Sequence, residues 1–534
     1  MRRTTLIRLG IAGAAAGGLL FSPGCGSKVA ATSGTGTGGH GQSSSTGGTT
    51  GTGGGAPVSS DSVLQHHKNP SRDGVYVQPA ITKATAKTMH LDPSFHAQTQ
   101  GATYAQPLFV DGVDGVDGVD GGKTGKDIVL VATEQNWVYA LDATTGNTVW
   151  KVQVGAPVPL SKMGCGNIDP FGVTGTPIID LPSRTIFLDA LVDAGGPRHR
   201  IFALSLDDGS VKTGWPVDMA NVKAGGTSFK AQFHGERGAL ALVGGTLYVP
   251  FGGLYGDCGD YHGWLVAVPI ANPAGVQAWA TGAQAGGSWA MSGVASDGTS
   301  VYLATGNTMG AQTWGGGEAI LRFGTGASFA GKPADYFAPA NWMDLDNSDV
   351  DIGGSGPVIF DLPGSSPSKL TIALGKDGKA YLLDRTKLGN VSAAVTTLQV
   401  TSDEIINAAV VYATAQDTYV AFKGASVACN GDVTAIRVKP GSPPTLESAW
   451  CATQGGLGSP MVTTTNGHAE AIVWGLGAEV DGRLHGFDGD TGAVVFDGGG
   501  PGDVMTGVRR YSTAIAAKGR LFVAADNTVY AFTP

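Results

Sequence analysis

Hydrophobic and polar positions alternate in short stretches along this chain, and the clearest stretch is VYALDATTGNTVW at positions 138–150. Its first five residues alternate as those of a half-buried strand do. Thr145 and Gly146 have the composition of a tight turn, and the last three residues begin a return strand. The pattern predicts a β-hairpin that ends on a tryptophan.

Degenerate copies of this hairpin recur along the chain. Four copies keep a large aromatic residue at the end, at positions 201–215, 265–279, 433–450 and 484–496. Strand halves without it lie at 319–323, 380–384 and 529–532. About eight copies at spacings of roughly 45 to 65 residues are typical of the four-stranded blades of a β-propeller.

The repeats predict an all-β protein, an eight-bladed β-propeller of four-stranded antiparallel blades. Stacked blades bury both faces of each sheet, and we expect the recurring aromatic residue to pack between neighbours. The last copy stops at Pro534 without a return strand. We therefore expect the N-terminal strand within TMHLDPSFHAQ, 88–98, to complete the final blade and protect its edge.

Composition supports turns and sheets over helices and excludes one class of partner. Glycine accounts for 86 of 534 residues and charged residues for only 14%, while 42% of the residues are hydrophobic. A net charge of −9 gives nucleic acid no basic face to meet. We expect no nucleic-acid partner.

The first 25 residues have the layout of an export signal, because Arg2, Arg3 and Arg8 precede an apolar stretch too short to span a membrane. SPGC ends at Cys25 and resembles a bacterial lipobox, in which this cysteine is lipidated; ordinary cleavage is the alternative. Residues 26–60 are mostly Gly, Ser and Thr and predict a disordered tether, followed by the propeller at 61–534. We expect an exported protein, either a membrane-anchored lipoprotein of the periplasm or outer membrane surface or a secreted protein.

Cysteine usage agrees with export. If Cys25 carries lipid, an even set of four cysteines remains for disulfide bonds. No CxxCH sequence is present, so the chain brings no covalent c-type haem.

The spacing of Ala140, Asp142, Gly146 and Trp150 resembles the docking repeat of pyrroloquinoline-quinone (PQQ) dehydrogenases and their non-enzymatic relatives. The resemblance covers nearly all of the chain from Ser62 onward. It implies one of two functions. The first is a binding or scaffold module whose propeller mouth meets a protein, glycan or small-molecule ligand at the cell envelope. The second is a PQQ- and Ca²⁺-dependent dehydrogenase that oxidises an alcohol or sugar and passes electrons to a separate cytochrome.

The resemblance also implies residues for the enzyme. LATGN resembles the turn that carries a metal-binding asparagine and points to Asn307; DNSDVDIGG resembles the stretch with the catalytic carboxylate and points to Asp351, a metal ligand as well as the base. Lys376 in GKDGKAYLLDR stands where arginine contacts the quinone. GDCGDYHGW places Asp257 or Cys258 where the enzymes have a metal-binding glutamate.

Arg237, His262 and Trp264 are the remaining candidates for binding the cofactor. Each candidate also has an ordinary structural interpretation. Asn307 and Asp351 are residue types that bond backbone amides in turns, Arg237 and His262 can make structural hydrogen bonds, and Lys376 can be a solvated hairpin residue.

The cysteines depart from the alcohol enzymes, which carry an adjacent cysteine pair over the quinone. The comparable loop, MGCGNIDP, has only Cys165. From the resemblance, which places Cys165 and Cys258 at equivalent loops of successive blades, we expect these two to pair across the mouth. Cys429 and Cys451 bracket one hairpin and form the other expected pair. The missing cysteine pair and the altered glutamate favour binding over catalysis.

Overall fold

The computed structural model describes residues 61–113 and 125–534. The predicted signal sequence, Cys25 and the predicted tether lie outside these described residues. Within the described ranges, no helix is long and apolar enough to cross a membrane.

Eight antiparallel sheets form the eight blades of a β-propeller, as predicted. From the channel outward, blades 1 to 4 consist of Leu108–Val113, Lys126–Ala132, Trp137–Asp142 and Thr148–Gln153; Ile178–Asp180, Thr185–Asp193, Pro197–Ser205 and Val217–Asp218; Ala241–Val243, Thr246–Gly253, Trp264–Pro269 and Gln277–Ala280; and Ala295–Ser296, Val301–Thr305, Ala319–Phe323 and Tyr336–Pro339. Blades 5 to 8 consist of Val358–Asp361, Lys369–Leu374, Lys379–Asp384 and Thr396–Gln399; Val410–Ala413, Thr418–Lys423, Val433–Lys439 and Thr445–Ala452; Met461–Thr464, Ile472–Leu476, Leu484–Asp488 and Val494–Asp497; and Ile515–Ala517, Arg520–Ala525, Thr528–Thr533 and His90–Leu91.

Short elements decorate these blades. Additional strands are Val75–Val77, Ala97–Gln98, Lys223–Ala224, Thr227–Ser228, His234–Gly235 and Asn390–Ser392. The α-helix is Trp342–Ser348, and the 3-10 helices are Thr85–Thr88, Leu160–Lys162, Met219–Asn221, Ala231–Phe233, Thr325–Ala327 and Pro501–Asp503.

Blade 8 closes the ring with strands from both ends of the propeller sequence. His90 pairs with Thr533 and Ala97 pairs with Val529, both in antiparallel register. The predicted closure by an N-terminal strand is therefore confirmed. It covers the edge that the last strand would otherwise expose.

Two of the recurring tryptophans, Trp150 and Trp450, pack on the turn glycine of the next blade. Trp150 of blade 1 donates its indole N–H to the carbonyl of Leu206 in blade 2, at 3.0 Å. Trp450 of blade 6 donates in the same way to Gly489 of blade 7, at 2.9 Å. A Cβ atom added to Gly492 in that turn would lie 2.7 Å from the Trp450 ring. The repeat thus pairs an aromatic residue with a residue that must lack a side chain.

Gly492→Ala is expected to lower the free energy of unfolding by roughly 2 to 3 kcal/mol, since Gly492 has φ +72° and the methyl group would overlap Trp450. Denaturant titration of this variant and of Gly364→Ala would measure the effect. Gly364 has φ +81° and no atom within 4 Å of an added Cβ, so it reports backbone strain alone. Equal losses in the two variants would contradict the packing role.

The segment 62–78 crosses the central channel and contacts all eight blades, six of them through the innermost strand; we call it the plug. The second residues of six inner strands donate their N–H groups to plug carbonyls: Phe109 to Val63, Ile179 to Leu64, Ser296 to Pro70, Ile359 to Ser71, Val411 to Asp73 and Val462 to Gly74. For blade 3, Arg72 donates to the carbonyl of Leu240 at 2.7 Å, and for blade 8 Gly519 donates to the Gln78 side chain at 2.7 Å. One short segment therefore joins all eight blades at the axis.

The plug fills the channel with polar side chains that have no contact with solvent. Arg72 and His67 are fully buried, and His66 stacks on His67 with ring centroids 4.3 Å apart. The Arg72 guanidinium also donates to the carbonyls of Val294 at 2.9 Å and His66 at 2.8 Å. Burial lowers the pKa of Arg72 to about 9. The channel is consequently closed at the level of the plug.

Arg72→Met is expected to destabilise the protein by at least about 3 kcal/mol, because three buried carbonyl groups lose their donor. The free energy of unfolding in urea would measure the loss, with exposed Lys87→Met as the control. A change as small as that of the control would show that the plug does not join the blades energetically.

Candidate functional site

A cavity of about 530 Å³ opens at one end of the channel; we call it the mouth cavity. Four of its lining residues, Thr174, Arg237, Ile406 and Tyr511, each lie four residues before the inner strand of a blade. The plug binds the second residue of the inner strands. The mouth cavity therefore lies beyond the N-terminal ends of the inner strands, while the plug binds within these strands.

Asp351 lies in the wall of the mouth cavity and is held by two donors. It is 1% exposed, and the indole N–H of Trp289 donates to its Oδ2 at 3.0 Å. Lys376 Nζ lies 3.3 Å from Asp351 Oδ1 and 2.9 Å from Asp349 Oδ1. The same ammonium group lies 5.4 Å from the centre of the Trp289 ring. Asp351, Lys376 and Trp289 therefore form one connected group.

The titration of the pair follows from its surroundings. Burial raises the pKa of Asp351 above its ordinary value, and Lys376 opposes this effect. Burial works in the opposite sense on Lys376, but the charges of Asp351 and Asp349 outweigh it and raise the pKa of Lys376. Lys376 therefore stays protonated, and Asp351 is a stronger proton acceptor than an exposed aspartate.

Glu318 ties the turn of Asn307 to the turn of Asp351. Its backbone N–H donates to the carbonyl of Gly306 at 2.9 Å, and its Oε2 accepts from the N–H of Ile352 at 3.0 Å. Burial, followed by the charge of Asp351, raises the pKa of Glu318 to about 9. Glu318 is thus a neutral, fully buried link that fixes the distance between the two turns.

The oxygen atoms of this wall do not form a cage for Ca²⁺. The Asn307 amide makes no hydrogen bond within the described chain, but Asp351 is already paired with Lys376 and Trp289. Asp257 accepts from the Tyr261 hydroxyl at 2.6 Å. In residues 61–113 and 125–534, no group of three or more His, Cys, Asp or Glu side chains is arranged to hold a metal ion. Calcium prefers six to eight oxygen ligands, and this donor set does not fit it.

Another part of the lining contains cations and an aromatic ring. The Arg237 guanidinium lies 5.7 Å from the centre of the Tyr511 ring. Tyr511 has φ +69°, a strained conformation for a bulky residue, and its N–H is held by the carbonyl of Leu457 at 2.9 Å. Arg510, also in the lining, pairs with Glu479 at 2.7 Å.

Two buried glutamates, Glu134 and Glu236, lie near Arg237. Glu134 accepts from the N–H of Gly172 at 2.7 Å, and Glu236 accepts from the N–H of Gly175 at 3.2 Å. Burial raises the pKa of Glu134 to about 7, against the opposing hydrogen bond from Gly172 and the charge of Arg237. Burial and the charge of nearby carboxylates raise the pKa of Glu236 well above its ordinary value. Neither glutamate fully neutralises Arg237 at neutral pH.

Glu134→Gln is expected to remove a pH-dependent loss of stability. Glu134 has a higher pKa folded than unfolded, so its contribution is intact below about pH 4.5 and is lost as pH rises to about 7. The decrease in unfolding free energy between pH 4.5 and pH 8 should be smaller in the variant by roughly 3 kcal/mol. Urea titrations at both pH values measure it, with exposed Glu447→Gln as the control. An unchanged pH profile would contradict the raised pKa.

Both predicted disulfide bonds are confirmed, Cys165–Cys258 and Cys429–Cys451, each with Cα atoms 6.0 Å apart. The expectation of equivalent loops in successive blades was wrong. Cys165 lies between blades 1 and 2, whereas Cys258 lies between the second and third strands of blade 3. The bond anchors the loop of Asp257 at the rim of the mouth cavity.

The structure separates two candidates from the others. Trp264 is fully buried in the core of blade 3 and does not line the mouth cavity. His262 is outside the lining as well, and its Nδ1 lies 2.9 Å from the carbonyl of Thr281. Both residues lie after the loop of Cys258, at the start of the third strand of blade 3, where their side chains pack against the protein. The lining includes the other five: Arg237, Asp257, Asn307, Asp351 and Lys376.

Sequence reasoning missed several residues of the site, above all Trp289, Glu318 and Tyr511. Tyr511 could have been found by position, since it lies four residues before an inner strand, as Arg237 does. Trp289 and Glu318 carry no local signal, because their roles depend on contacts with Asp351 and Ile352 from another blade.

The chain matches no protein-family model and no curated protein sequence. Its fold is shared with solved structures. The quinohemoprotein alcohol dehydrogenase ADHIIG from Pseudomonas putida is 14% identical with a TM-score of 0.58, covering 89% of this chain and 79% of that chain. The quinohemoprotein alcohol dehydrogenase from Comamonas testosteroni is 15% identical with a TM-score of 0.56, covering 88% and 80%. A europium-containing methanol dehydrogenase is 16% identical with a TM-score of 0.56, covering 88% and 91%. These likenesses show that the chain shares the propeller fold of these structures.

Proposed function

We propose that this PQQ-like eight-bladed propeller is an exported, lipid-anchored protein that binds a small polar ligand in the mouth cavity. One observation carries the proposal. Five residues singled out from the sequence, contributed by separate loops, line one cavity of about 530 Å³ together with Trp289 and Tyr511. Export and the anchor rest on the sequence ahead of Cys25.

The size and shape of the cavity favour a small molecule over a protein or a long glycan. Ligand pockets commonly measure about 300 to 1,000 Å³. The plug closes the channel, so a chain cannot thread through the propeller. The rim is fixed by the Cys165–Cys258 bond, which limits how far the opening can widen.

The second candidate is a PQQ-dependent dehydrogenase, and the observation that favours it is the meeting of Asn307, Asp351 and Lys376. The Trp289 ring and the cations Arg237 and Lys376 fit a flat quinone that carries carboxylates. PQQ, when bound, would accept hydride from an alcohol. Asp351 would take the proton of the hydroxyl group, and Lys376 would keep Asp351 ionised until then.

Binding and catalysis can be tested on the same protein. PQQ, neutral monosaccharides and sugar acids would each be titrated at millimolar concentrations, with tryptophan fluorescence and the melting temperature as readouts. Lys376→Met should weaken binding about tenfold or more, because it leaves the buried Asp351 charge unpaired. Exposed Lys332→Met is the matched control. Ligands that bind wild type and Lys376→Met equally would contradict the mouth cavity as the site.

Dye reduction separates the two candidates. With PQQ present and a panel of alcohols and sugars, a dehydrogenase reduces the dye, and Asp351→Asn abolishes turnover while PQQ still binds. Absence of both PQQ binding and dye reduction would remove the dehydrogenase and leave the binding protein.

A further inference from the structure

The wall of the mouth cavity around Asp351 offers many hydrogen-bond acceptors beside an aromatic face. Its carboxylates are Asp257, Asp349, Asp351 and Glu404, and Trp289 lies among them. Carboxylates accept hydrogen bonds from hydroxyl groups, and an indole face packs on apolar C–H groups. A compact polyhydroxylated ligand satisfies both.

Arg237, elsewhere in the same lining, lacks the ion-pair partner that the other lining cations have. Lys376 pairs with Asp349 and Asp351, and Arg510 pairs with Glu479. Within the described chain, Arg237 makes no ion pair or hydrogen bond; its guanidinium lies over the Tyr511 ring, and its charge acts on the buried Glu134. A half-buried guanidinium without an anion is a ready site for a ligand carboxylate, which it can bind through two parallel hydrogen bonds.

The surroundings of Arg237 preserve its charge and its position. The buried acids Glu134 and Glu236 accept hydrogen bonds from Gly172 and Gly175, and neither lies within ion-pair distance of Arg237. The strained Tyr511 backbone is locked by its own N–H bond, and its carbonyl accepts from Ser459 Oγ at 2.9 Å. Strain that the structure maintains at a cavity wall is typical of a functional contact.

We propose that the ligand of the mouth cavity is a sugar acid, whose carboxylate binds Arg237 and whose hydroxyl groups bind the acidic wall around Asp351. The inference rests on the proposed binding function and names its ligand class. A monoanionic carboxylate matches the single unpaired cation. A sugar phosphate offers the same anionic chemistry, but its second negative charge would be repelled by the carboxylates that share the lining.

Isothermal titration of the full chain with glucuronate, glucose and glucose 6-phosphate tests the inference. Glucuronate should bind about tenfold or more tightly than glucose, and more tightly than the phosphate. Arg237→Met should reduce glucuronate binding to the level of glucose, and Arg237→Lys should retain part of the preference. Exposed Arg198→Met should leave all three affinities unchanged, and the melting temperature of each variant verifies folding.

The results would distinguish a failure of the sugar-acid assignment from a failure of the proposed binding function. Equal binding of glucose and glucuronate, or preference for the phosphate, would overturn the sugar-acid inference while ligand binding stands. An unchanged preference in folded Arg237→Met would overturn it as well. If no sugar, sugar acid or PQQ binds in a manner sensitive to Lys376→Met, both the inference and the proposed function fail.

Discussion

The architecture depends on hydrogen bonds between one short segment and all eight blades, at or beside their inner strands. A propeller has no central hydrophobic core, because its blades pack side by side and leave a channel. The plug fills that channel and satisfies inner-strand N–H groups that would otherwise lack partners. Arg72 is the centre of this arrangement, since its single guanidinium serves carbonyls from blade 3, blade 4 and the plug itself.

Contacts between neighbouring blades, farther from the axis, add to those made by the plug. Trp150 and Trp450 fix neighbouring blades where the turn of the next repeat lacks a side chain. Because the plug contacts all eight blades and these tryptophans join two neighbouring pairs, loops from distant parts of the sequence are held together at the mouth. That rigidity lets Lys376 from blade 5 face Trp289 from blade 4 without a bound ligand to position them.

Much of the fold could be read from the sequence, and the site only in part. The hairpin at 138–150 and its copies carry local signals, as does the closing strand near His90, because alternation and turn residues act over a few positions. Asn307, Asp351 and Lys376 were found through short resembling motifs. Glu318 and Trp289 could not be found, since their partners come from other loops, and Trp264 looked like a site residue although packing buries it. The plug was visible only as HHKNPSRDG, with no hint that it spans the axis.

The plug also limits the route by which a ligand enters and leaves. Because the plug occupies the channel, an occupant of the mouth cavity would enter and leave through the opening beside the Asp257 loop, which the Cys165–Cys258 bond anchors. A macromolecule bound over that opening would slow association and dissociation of the ligand to the same extent. The equilibrium affinity, which is set by their ratio, would not change. Such a partner would lengthen the residence time of the ligand without competing with it for the cavity.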